Sequence, residues 1–139
     1  MRTTDRISPA EASSLLEACG LPLAGLESAT LWGTRDEDGV LRAVAGLENY
    51  GDVVLLRSFA TAPGSRGQGL GQRHLSFLLE GAKRDGVREA FLLTETAEAF
   101  FARHGFETVA RETADARLMA SAEFQEGRCA SAKLMRKRL

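Results

Sequence analysis

Residues 53–71 have the sequence VVLLRSFATAPGSRGQGLG, which joins an apolar run to a turn rich in glycine. The run Val53–Ala60 is mostly apolar on both faces, as expected of a central strand that is covered on both sides. Apolar residues then recur at helical spacing from about Gly71 to Asp85, and Gly86 ends the pattern. The stretch therefore predicts a buried strand, a glycine-rich turn and an amphipathic helix in direct succession.

The turn Arg66–Gly71 has the chemistry of an anion-binding loop. The first N–H groups of a helix have no partner within the helix and carry partial positive charge. Glycine lets the backbone close around a ligand, so phosphate groups bind well at such a place. Arg66 adds a cation that pairs with phosphate. The alternative is a turn that binds no ligand, but three glycines and an arginine are costly for packing alone.

Two common nucleotide-binding motifs do not match this turn. A mononucleotide loop requires GxxxxGK followed by Ser or Thr, and no such pair follows here. A dinucleotide loop requires GxGxxG, whereas Gly67, Gly69 and Gly71 alternate and the next residue is Gln72. Both motifs are excluded by spacing, so the ligand is either another phosphate-containing molecule or absent.

The flanking segments predict a chain that mixes antiparallel hairpins with a strand–helix–strand unit. Ser8, Pro9 and Glu11 form a helix start with a capping box. Asp38 and Gly39 mark a hairpin turn between two strands. The predicted helices cover about 9–19, 71–85, 97–103 and 116–124, and the predicted strands cover 30–34, 40–48, 53–60, 89–94, 106–112 and 132–138. This order predicts an α/β sandwich with a mixed sheet and helices on both faces.

Length, composition and charge restrict the classes of function. The 139 residues fit a single domain, 1–139, and a formal net charge of −1 gives no electrostatic reason to expect nucleic acid or an anionic membrane. No apolar run is long enough to span a membrane. Cys19 and Cys129 lack metal-ligand spacing and are expected to be reduced thiols in a cytoplasmic protein. His74 and His104 are isolated, and we expect them at the surface or at a helix cap.

The central part of the chain resembles the GNAT acetyltransferase superfamily. The superfamily's pyrophosphate signature is Arg or Gln, two residues, Gly, one residue, then Gly or Ala, and Arg66, Gly69 and Gly71 fill those places. The segment Ala97–Phe106 is similar to the family pattern A-xxx-Y-xxx-G-F. The resemblance implies a three-layer α/β sandwich with a mixed central sheet, and acetyl-CoA as cosubstrate.

By this resemblance, two parts of the chain contact the cosubstrate. The backbone of Phe59–Thr61 would hydrogen-bond the pantetheine arm and the acetyl carbonyl, and the glycine-rich turn would hold the pyrophosphate. Phe101 occupies the place of the tyrosine in the family pattern. The cosubstrate-binding residues that the resemblance implies are Phe59, Ala60, Thr61, Arg66, Gly67, Gln68, Gly69, Leu70, Gly71 and Phe101.

The sequence is also similar to short GNAT proteins associated with arsenic resistance. Those proteins combine a core like Phe59–Gly71 with C-terminal stretches close to Arg117–Phe124 and Cys129–Lys137. This resemblance adds arsenical amines to the amino-acid-like amines as candidate substrates.

Transfer of an acetyl group from a thioester to an amine needs a base for the amine and an acid for the departing thiolate. Many GNAT proteins place a tyrosine acid where this chain has Phe101, which has no proton to give. The alternative acids are water or another residue, or the thiolate leaves unassisted. Tyr50, the only tyrosine, is a candidate for this acid, and an aromatic at the rim of the site is its competing interpretation. Glu48 and Glu95 lie nearest the predicted central strand and are candidates for contact with the amine. A solvated surface position is the competing interpretation for each carboxylate.

Arg57 lies inside the apolar strand, where a charge needs a partner or a cleft. We therefore consider Arg57 a candidate for binding an anionic group of the substrate. A structural salt bridge is the alternative. If Arg57→Ala retained normal acetyl transfer, the substrate-binding role would be excluded.

The sequence predicts an acetyl-CoA-dependent N-acyltransferase that acts on a small amine. A non-catalytic domain that binds acyl-CoA as a sensor, or that supports a partner protein, is the alternative, because the acid and the base are not assigned. The family resemblance is compatible with a homodimer, for which the sequence itself carries no signal.

Overall fold

The computed structural model describes residues 3–67, 69–125 and 132–139, so Gln68 and Cys129 lie outside the described residues. Within those residues the chain forms one seven-stranded sheet and four α-helices. The strands are β1 Thr3–Ile7, β2 Thr30–Arg35, β3 Leu41–Tyr50, β4 Val53–Thr61, β5 Glu89–Thr94, β6 Glu107–Val109 and β7 Lys133–Arg138. The helices are α1 Pro9–Ala18, α2 Leu70–Arg84, α3 Glu98–Arg103 and α4 Ala122–Gln125.

The sheet is mixed, with the strand order β1-β2-β3-β4-β5-β7-β6. The first four strands form antiparallel neighbours, and β4 and β5 pair in parallel across the helix α2. The last strand, β7, lies between β5 and β6 and is antiparallel to both. The β4–α2–β5 unit therefore lies in the middle of the sheet, where both faces of its strands are covered.

Helices cover both faces of the sheet. Val44 and Ala45 are consecutive in β3 and so point to opposite faces. Val44 packs with Ala12 and Leu16 of α1, whereas Ala45 belongs to the cluster that contains the buried face of α2. The predicted α/β class with a mixed sheet and helices on both faces is confirmed.

Three element predictions differ from the structure. The strand β1 was not predicted, because residues 3–7 are mostly polar; it pairs antiparallel with β2 along the sheet edge. The predicted helix over 116–124 is a 3₁₀ helix over Ala116–Ala120 followed by the short α4. The predicted strand over 106–112 is confined to β6, and a 3₁₀ turn follows it.

His74 is buried, contrary to its predicted surface position. Its residue surface is 2% exposed, and its ring lies on the side of α2 that faces Phe59. Neither ring nitrogen has a hydrogen-bond partner among the described residues. Burial without a partner disfavours the charged imidazolium and lowers the pKa of His74 to about 4.

We predict that His74 makes the protein less stable as the pH falls from 6.5 towards 4. The unfolded chain takes up the proton near pH 6.5, whereas the folded chain takes it up only near 4, so acid favours unfolding within this window. Urea denaturation of wild type and His74→Leu at pH 7 and pH 5 tests this. The variant should gain roughly 2 kcal/mol relative to wild type between the two pH values. An equal difference at both pH values would show that His74 does not titrate in this way.

Candidate active site

The site begins where β4 and β5 stop pairing. Their parallel register runs from Val53 and Glu89 to Leu56 and Leu92. Beyond that point β4 continues to Thr61, and the two strands separate. Backbone N–H and C=O groups on the facing edges lose their strand partners, so the separation creates a cleft lined by available hydrogen-bonding groups.

A β-bulge at Ser58 changes the direction of β4 at the start of this cleft. Gly46 pairs with Arg57 and Val44 pairs with Ala60, so Ser58 and Phe59 together oppose the single residue between Val44 and Gly46. Ser58 has a φ of 57°, the only positive value at a non-glycine position among the described residues. The extra residue reverses the alternation of the strand.

The reversal determines which side chains enter each layer. Before the bulge, Val54 and Leu56 pack in the cluster of α2. After it, Phe59 packs against that same cluster, and Ala60 packs with α1. Without the bulge, period-two alternation would exchange Phe59 and Ala60 between the two faces.

A larger cavity of about 840 Å³ extends from the cleft to the N-terminus of α2. One wall is formed by Phe59, Ala60 and Thr61 and by the glycine-rich turn. A second part of the wall is formed by α3 and the residues before it, and includes Thr96, Ala97, Phe100, Arg103 and His104.

The glycine-rich turn leaves the first N–H groups of α2 open to this cavity. Gly69 is the N-cap with a φ of 72°, and no side chain caps the helix. Gly67 has a φ of 82°, and a Cβ there would meet nothing within 4 Å. A Cβ on Gly71 would lie 3.4 Å from Thr61 Oγ1, so α2 begins close against the end of β4. The uncapped helix start, with its partial positive charge, suits an anionic group.

Arg66 connects the turn to α1. Its Nε donates a hydrogen bond to the Thr61 carbonyl at 3.1 Å, and its Nη2 donates to the Cys19 sulfur at 3.6 Å. The residue is exposed and lines the larger cavity, so its charge lies beside the uncapped helix start. The turn and this guanidinium together fit a phosphate-containing ligand.

A smaller cavity of about 340 Å³ adjoins the larger one. Five residues line both cavities: Cys19, Leu21, Phe59, Thr96 and Ala97. The rest of its wall comes from the segment Gly20–Pro22, from the separating ends of β4 and β5, and from Glu95, Phe101, Glu123 and Ala132. Phe59 therefore lies at the junction of the two cavities.

Arg57 and Glu48 form a buried ion pair under the bulge. Arg57 Nη1 donates to Glu48 Oε2 at 2.9 Å, and the two side chains are 0% and 3% exposed. Arg57 Nε donates to Ser58 Oγ at 3.1 Å, and Nη2 donates to the Pro22 carbonyl at 3.4 Å. Tyr50 donates its hydroxyl hydrogen to Glu48 Oε1 at 2.5 Å. Burial and this hydrogen bond raise the pKa of Tyr50 to about 12.

A family model for the acetyltransferase (GNAT) domain matches residues 27–108, which is more than half of the chain and includes the cleft, the turn and α3. This chain belongs to the GNAT acetyltransferase family. No curated protein matches the sequence significantly.

Three solved structures share the GNAT fold at low identity. N-acetylglutamate synthase from Neisseria gonorrhoeae, complexed with coenzyme A and N-acetyl-glutamate, matches 100% of this chain with a TM-score of 0.80 and 19% identity. The match covers 35% of the synthase, so this chain spans about a third of that protein's length. A GNAT acetyltransferase from Staphylococcus aureus matches with a TM-score of 0.82 and 12% identity over 100% of this chain and 99% of its own. A Mycobacterium tuberculosis protein in complex with CoA matches with a TM-score of 0.76 and 20% identity over 99% of both chains.

The GNAT structure divides the sequence-predicted residues into three groups. The larger cavity is lined by Phe59, Ala60, Thr61, Arg66, Gly67, Gly69, Leu70 and Gly71, and Gln68 lies outside the described residues. The smaller cavity is lined by Arg57, Phe59, Glu95 and Phe101. Glu48 and Tyr50 line neither cavity.

Three of these placements differ from the roles considered in the sequence analysis. Glu48 is buried rather than solvated, because Arg57 on the adjacent strand supplies a guanidinium. Tyr50 is directed to Glu48 rather than to the cleft, and its raised pKa makes it a weaker acid than an ordinary tyrosine. For Arg57 the structure contains the salt bridge, and no side-chain surface is left exposed for a substrate anion.

Phe101, in the tyrosine place of the GNAT pattern, lies in the core with 4% of its surface exposed. Its ring contacts Phe59 at a centroid distance of 5.4 Å and faces the smaller cavity. Phe100, the preceding residue, lines the larger cavity instead. Ser58, at the bulge, and Cys19, which lines both cavities, were not predicted as site residues, because neither lies in a recognisable motif.

Other classes of site find no support in the described part of the chain. No group of three or more His, Cys, Asp or Glu residues there is arranged to hold a metal ion. None of the described helices has both the length and the apolar character to cross a bilayer.

We predict that removing one partner costs far more stability in the buried pair than in a more exposed pair of the same chemistry. Glu48→Ala leaves the Arg57 charge buried without its partner, and should lower the free energy of unfolding by roughly 3–5 kcal/mol. Glu107→Ala removes one of the two carboxylates paired with Arg136 among the described residues, at a position where the glutamate side chain is 65% exposed; Glu89 remains at 3.8 Å. That control should cost less than about 1 kcal/mol in urea denaturation. Equal losses for the two variants would contradict the assigned burial of the pair.

Proposed function

We propose that this chain transfers the acetyl group of acetyl-CoA to the amine of a small, amino-acid-like or arsenical molecule. The observation that carries the proposal is the junction at Phe59. There, a cavity ending at a phosphate-type helix start meets a second cavity of the size of a small substrate. Family membership and the CoA complexes of two structural neighbours support it.

Bound acetyl-CoA would supply an acetyl group activated as a thioester. The first-turn N–H groups of α2, with the backbone around Gly67 and Gly69, would hold the pyrophosphate. Arg66 would add a charged contact beside them. The edge of Phe59–Thr61 with which β5 does not pair would hydrogen-bond the pantetheine arm and orient the acetyl carbonyl. Most of these contacts come from backbone groups, so positioning of the thioester relative to the amine supplies most of the rate enhancement.

Glu95 is our candidate for contact with the amine. It is exposed and lines the smaller cavity just after β5. There its carboxylate can attract the substrate's ammonium group and accept a proton from it, either directly or through a water molecule. Phe101 has no proton to give, so we propose that water protonates the departing thiolate. For Glu48, Tyr50 and Arg57 we propose a positioning role, since their side chains bond one another inside the fold.

The alternative function is a non-catalytic domain that binds acyl-CoA. This alternative is favoured by Phe101, whose side chain cannot protonate the departing thiolate. Slow hydrolysis of acetyl-CoA without an amine separates the two functions. An enzyme with a carbonyl-binding backbone should release CoA measurably faster than buffer does, whereas a pure binding domain should not.

We further propose that residues 1–139 act as one GNAT domain, because the Staphylococcus aureus acetyltransferase is matched over 99% of its length. We also propose that the protein is located in the cytoplasm and forms a homodimer. Gel filtration with light scattering would test the homodimer.

The cosubstrate site is tested by calorimetry with acetyl-CoA. Wild type should bind with a micromolar Kd, and Gly69→Glu/Gly71→Glu should weaken binding more than about tenfold, because two carboxylates repel the pyrophosphate at the helix start. Gly81→Glu is the matched control, since it introduces the same side chain later in α2, where a Cβ meets only ordinary contacts. If the folded wild type did not bind acetyl-CoA, the proposed function would be refuted.

The amine site is tested by steady-state kinetics with a panel of amino-acid and arsenical amines. Glu95→Gln should lower kcat/KM for the amine by about tenfold and leave the KM for acetyl-CoA unchanged. Glu27→Gln, an exposed carboxylate in the 3₁₀ turn Leu26–Ser28, is the control and should behave as wild type. Unchanged kinetics in Glu95→Gln would exclude a role for that carboxylate.

A further inference from the structure

Ser58 holds a backbone conformation that its side chain disfavours. Its φ of 57° lies in the left-handed region, which glycine adopts freely and other L-residues adopt only at a cost in strain. The residue is also buried, with 7% of its surface exposed. A strained conformation at a buried position persists only where the surroundings hold it in place.

A chain of three polar side chains supplies that hold. Arg57 Nε donates to Ser58 Oγ at 3.1 Å, which ties the strained residue to its neighbour's guanidinium. The guanidinium is anchored by Glu48 at 2.9 Å and by the Pro22 carbonyl at 3.4 Å. Tyr50 in turn fixes Glu48 through its hydroxyl. Each hydrogen bond restricts the rotamer of the next side chain in the series Tyr50, Glu48, Arg57.

The conformation of Ser58 determines the geometry of the residues that follow. The bulge places Phe59 on the α2 side and Ala60 on the α1 side of the sheet. It therefore sets the direction of the backbone N–H and C=O groups between Phe59 and Thr61. Those residues line the larger cavity, and Phe59 also lines the smaller one.

We propose that Tyr50, Glu48 and Arg57 form a positioning device that holds Ser58 in its left-handed conformation and so aims the Phe59–Thr61 backbone into the cleft. The proposal rests on the proposed function in one respect, namely that this backbone binds acetyl-CoA. It assigns these three residues an effect on the site although neither Glu48 nor Tyr50 touches either cavity.

A purely structural ion pair makes a different prediction. Such a pair stabilises the fold regardless of which residue occupies position 58. A positioning device is needed only while position 58 is strained. Because glycine is not strained at positive φ, Ser58→Gly should make the site less dependent on the device.

The test is a double-mutant cycle on acetyl-CoA affinity, using the full chain. Glu48→Gln keeps the shape of the side chain and removes the charge that anchors Arg57. It should raise the Kd about tenfold when residue 58 is Ser, and less than about threefold when residue 58 is Gly. An equal factor in both backgrounds would overturn the proposal. Ser58→Ala, which keeps the strain and loses the hydroxyl, should weaken binding more than Ser58→Gly does.

Tyr50→Phe serves as the milder second variant, because it leaves both charges of the pair in place. If Glu48→Gln does not fold, the same cycle is run with Tyr50→Phe and Ser58→Gly, and the same non-additivity is expected. Additive effects in that cycle would overturn the proposal as well.

A readout without ligand separates this proposal from the proposed function. The NMR Cα and Cβ shifts and the amide coupling of Ser58 report the sign of φ in the free protein. Wild type should have left-handed values, and Glu48→Gln and Tyr50→Phe should shift them towards extended backbone. Unchanged values in both folded variants would overturn the positioning device even if acetyl-CoA binds. Failure of the wild type to bind acetyl-CoA would instead remove the proposed function, while the shifts still decide the conformational claim.

Discussion

The end of hydrogen bonding between β4 and β5 is the constraint on which the rest of the site depends. The two strands lie in the middle of the sheet and pair only as far as Leu56 and Leu92. Beyond that point the chain must find other partners for buried backbone groups, because an unpaired N–H or C=O away from water is costly. A cleft that admits an extended ligand resolves this problem. The same separation creates the cavity that leads to the start of α2 and the smaller cavity that adjoins it.

Charge is distributed unequally between the two sides of this cleft. Arg66 is exposed beside an uncapped helix start, and its charge is not balanced by a carboxylate in any of its hydrogen bonds to described residues, so both features attract an anion. Arg57 is fully buried, and its charge is balanced by Glu48. A buried pair of this kind is weak evidence for net stability, because desolvation of both ions offsets much of their attraction. Its position directly under the strained Ser58 gives it a geometric role that a hydrophobic pair of equal volume would not supply.

Sequence patterns predicted the parts of the fold that depend on local chemistry. The capping box of Ser8 and Glu11 is present, and the glycine-rich turn does precede α2. The strand β1 escaped prediction because an edge strand with polar residues has no apolar alternation to detect. His74 escaped as well, since the helix period alone does not indicate how deeply a polar residue is covered on the α2 side.

The site was predicted less completely because it depends on strand register. Glu48 and Arg57 are nine positions apart in sequence, and only the β3–β4 register brings them together. The bulge at Ser58 has no sequence signature, because a glycine would normally mark a left-handed residue. Without the bulge, the faces of Phe59 and Ala60 are assigned the wrong way round. Glu95 and the loop residues are different: each lies directly after a predicted strand, so its place at the cleft followed from element order.

A crystal structure of the chain with acetyl-CoA tests the central claim most directly. The account predicts the pyrophosphate at the N-terminus of α2, next to Gly67 and Gly69, and the pantetheine arm between β4 and β5 with hydrogen bonds to Phe59–Thr61. The acetyl group should lie at the junction of the two cavities, facing Glu95. Acetyl-CoA bound outside this cleft, or a cleft that stays empty at saturating concentration while the strands keep their separation, would contradict it.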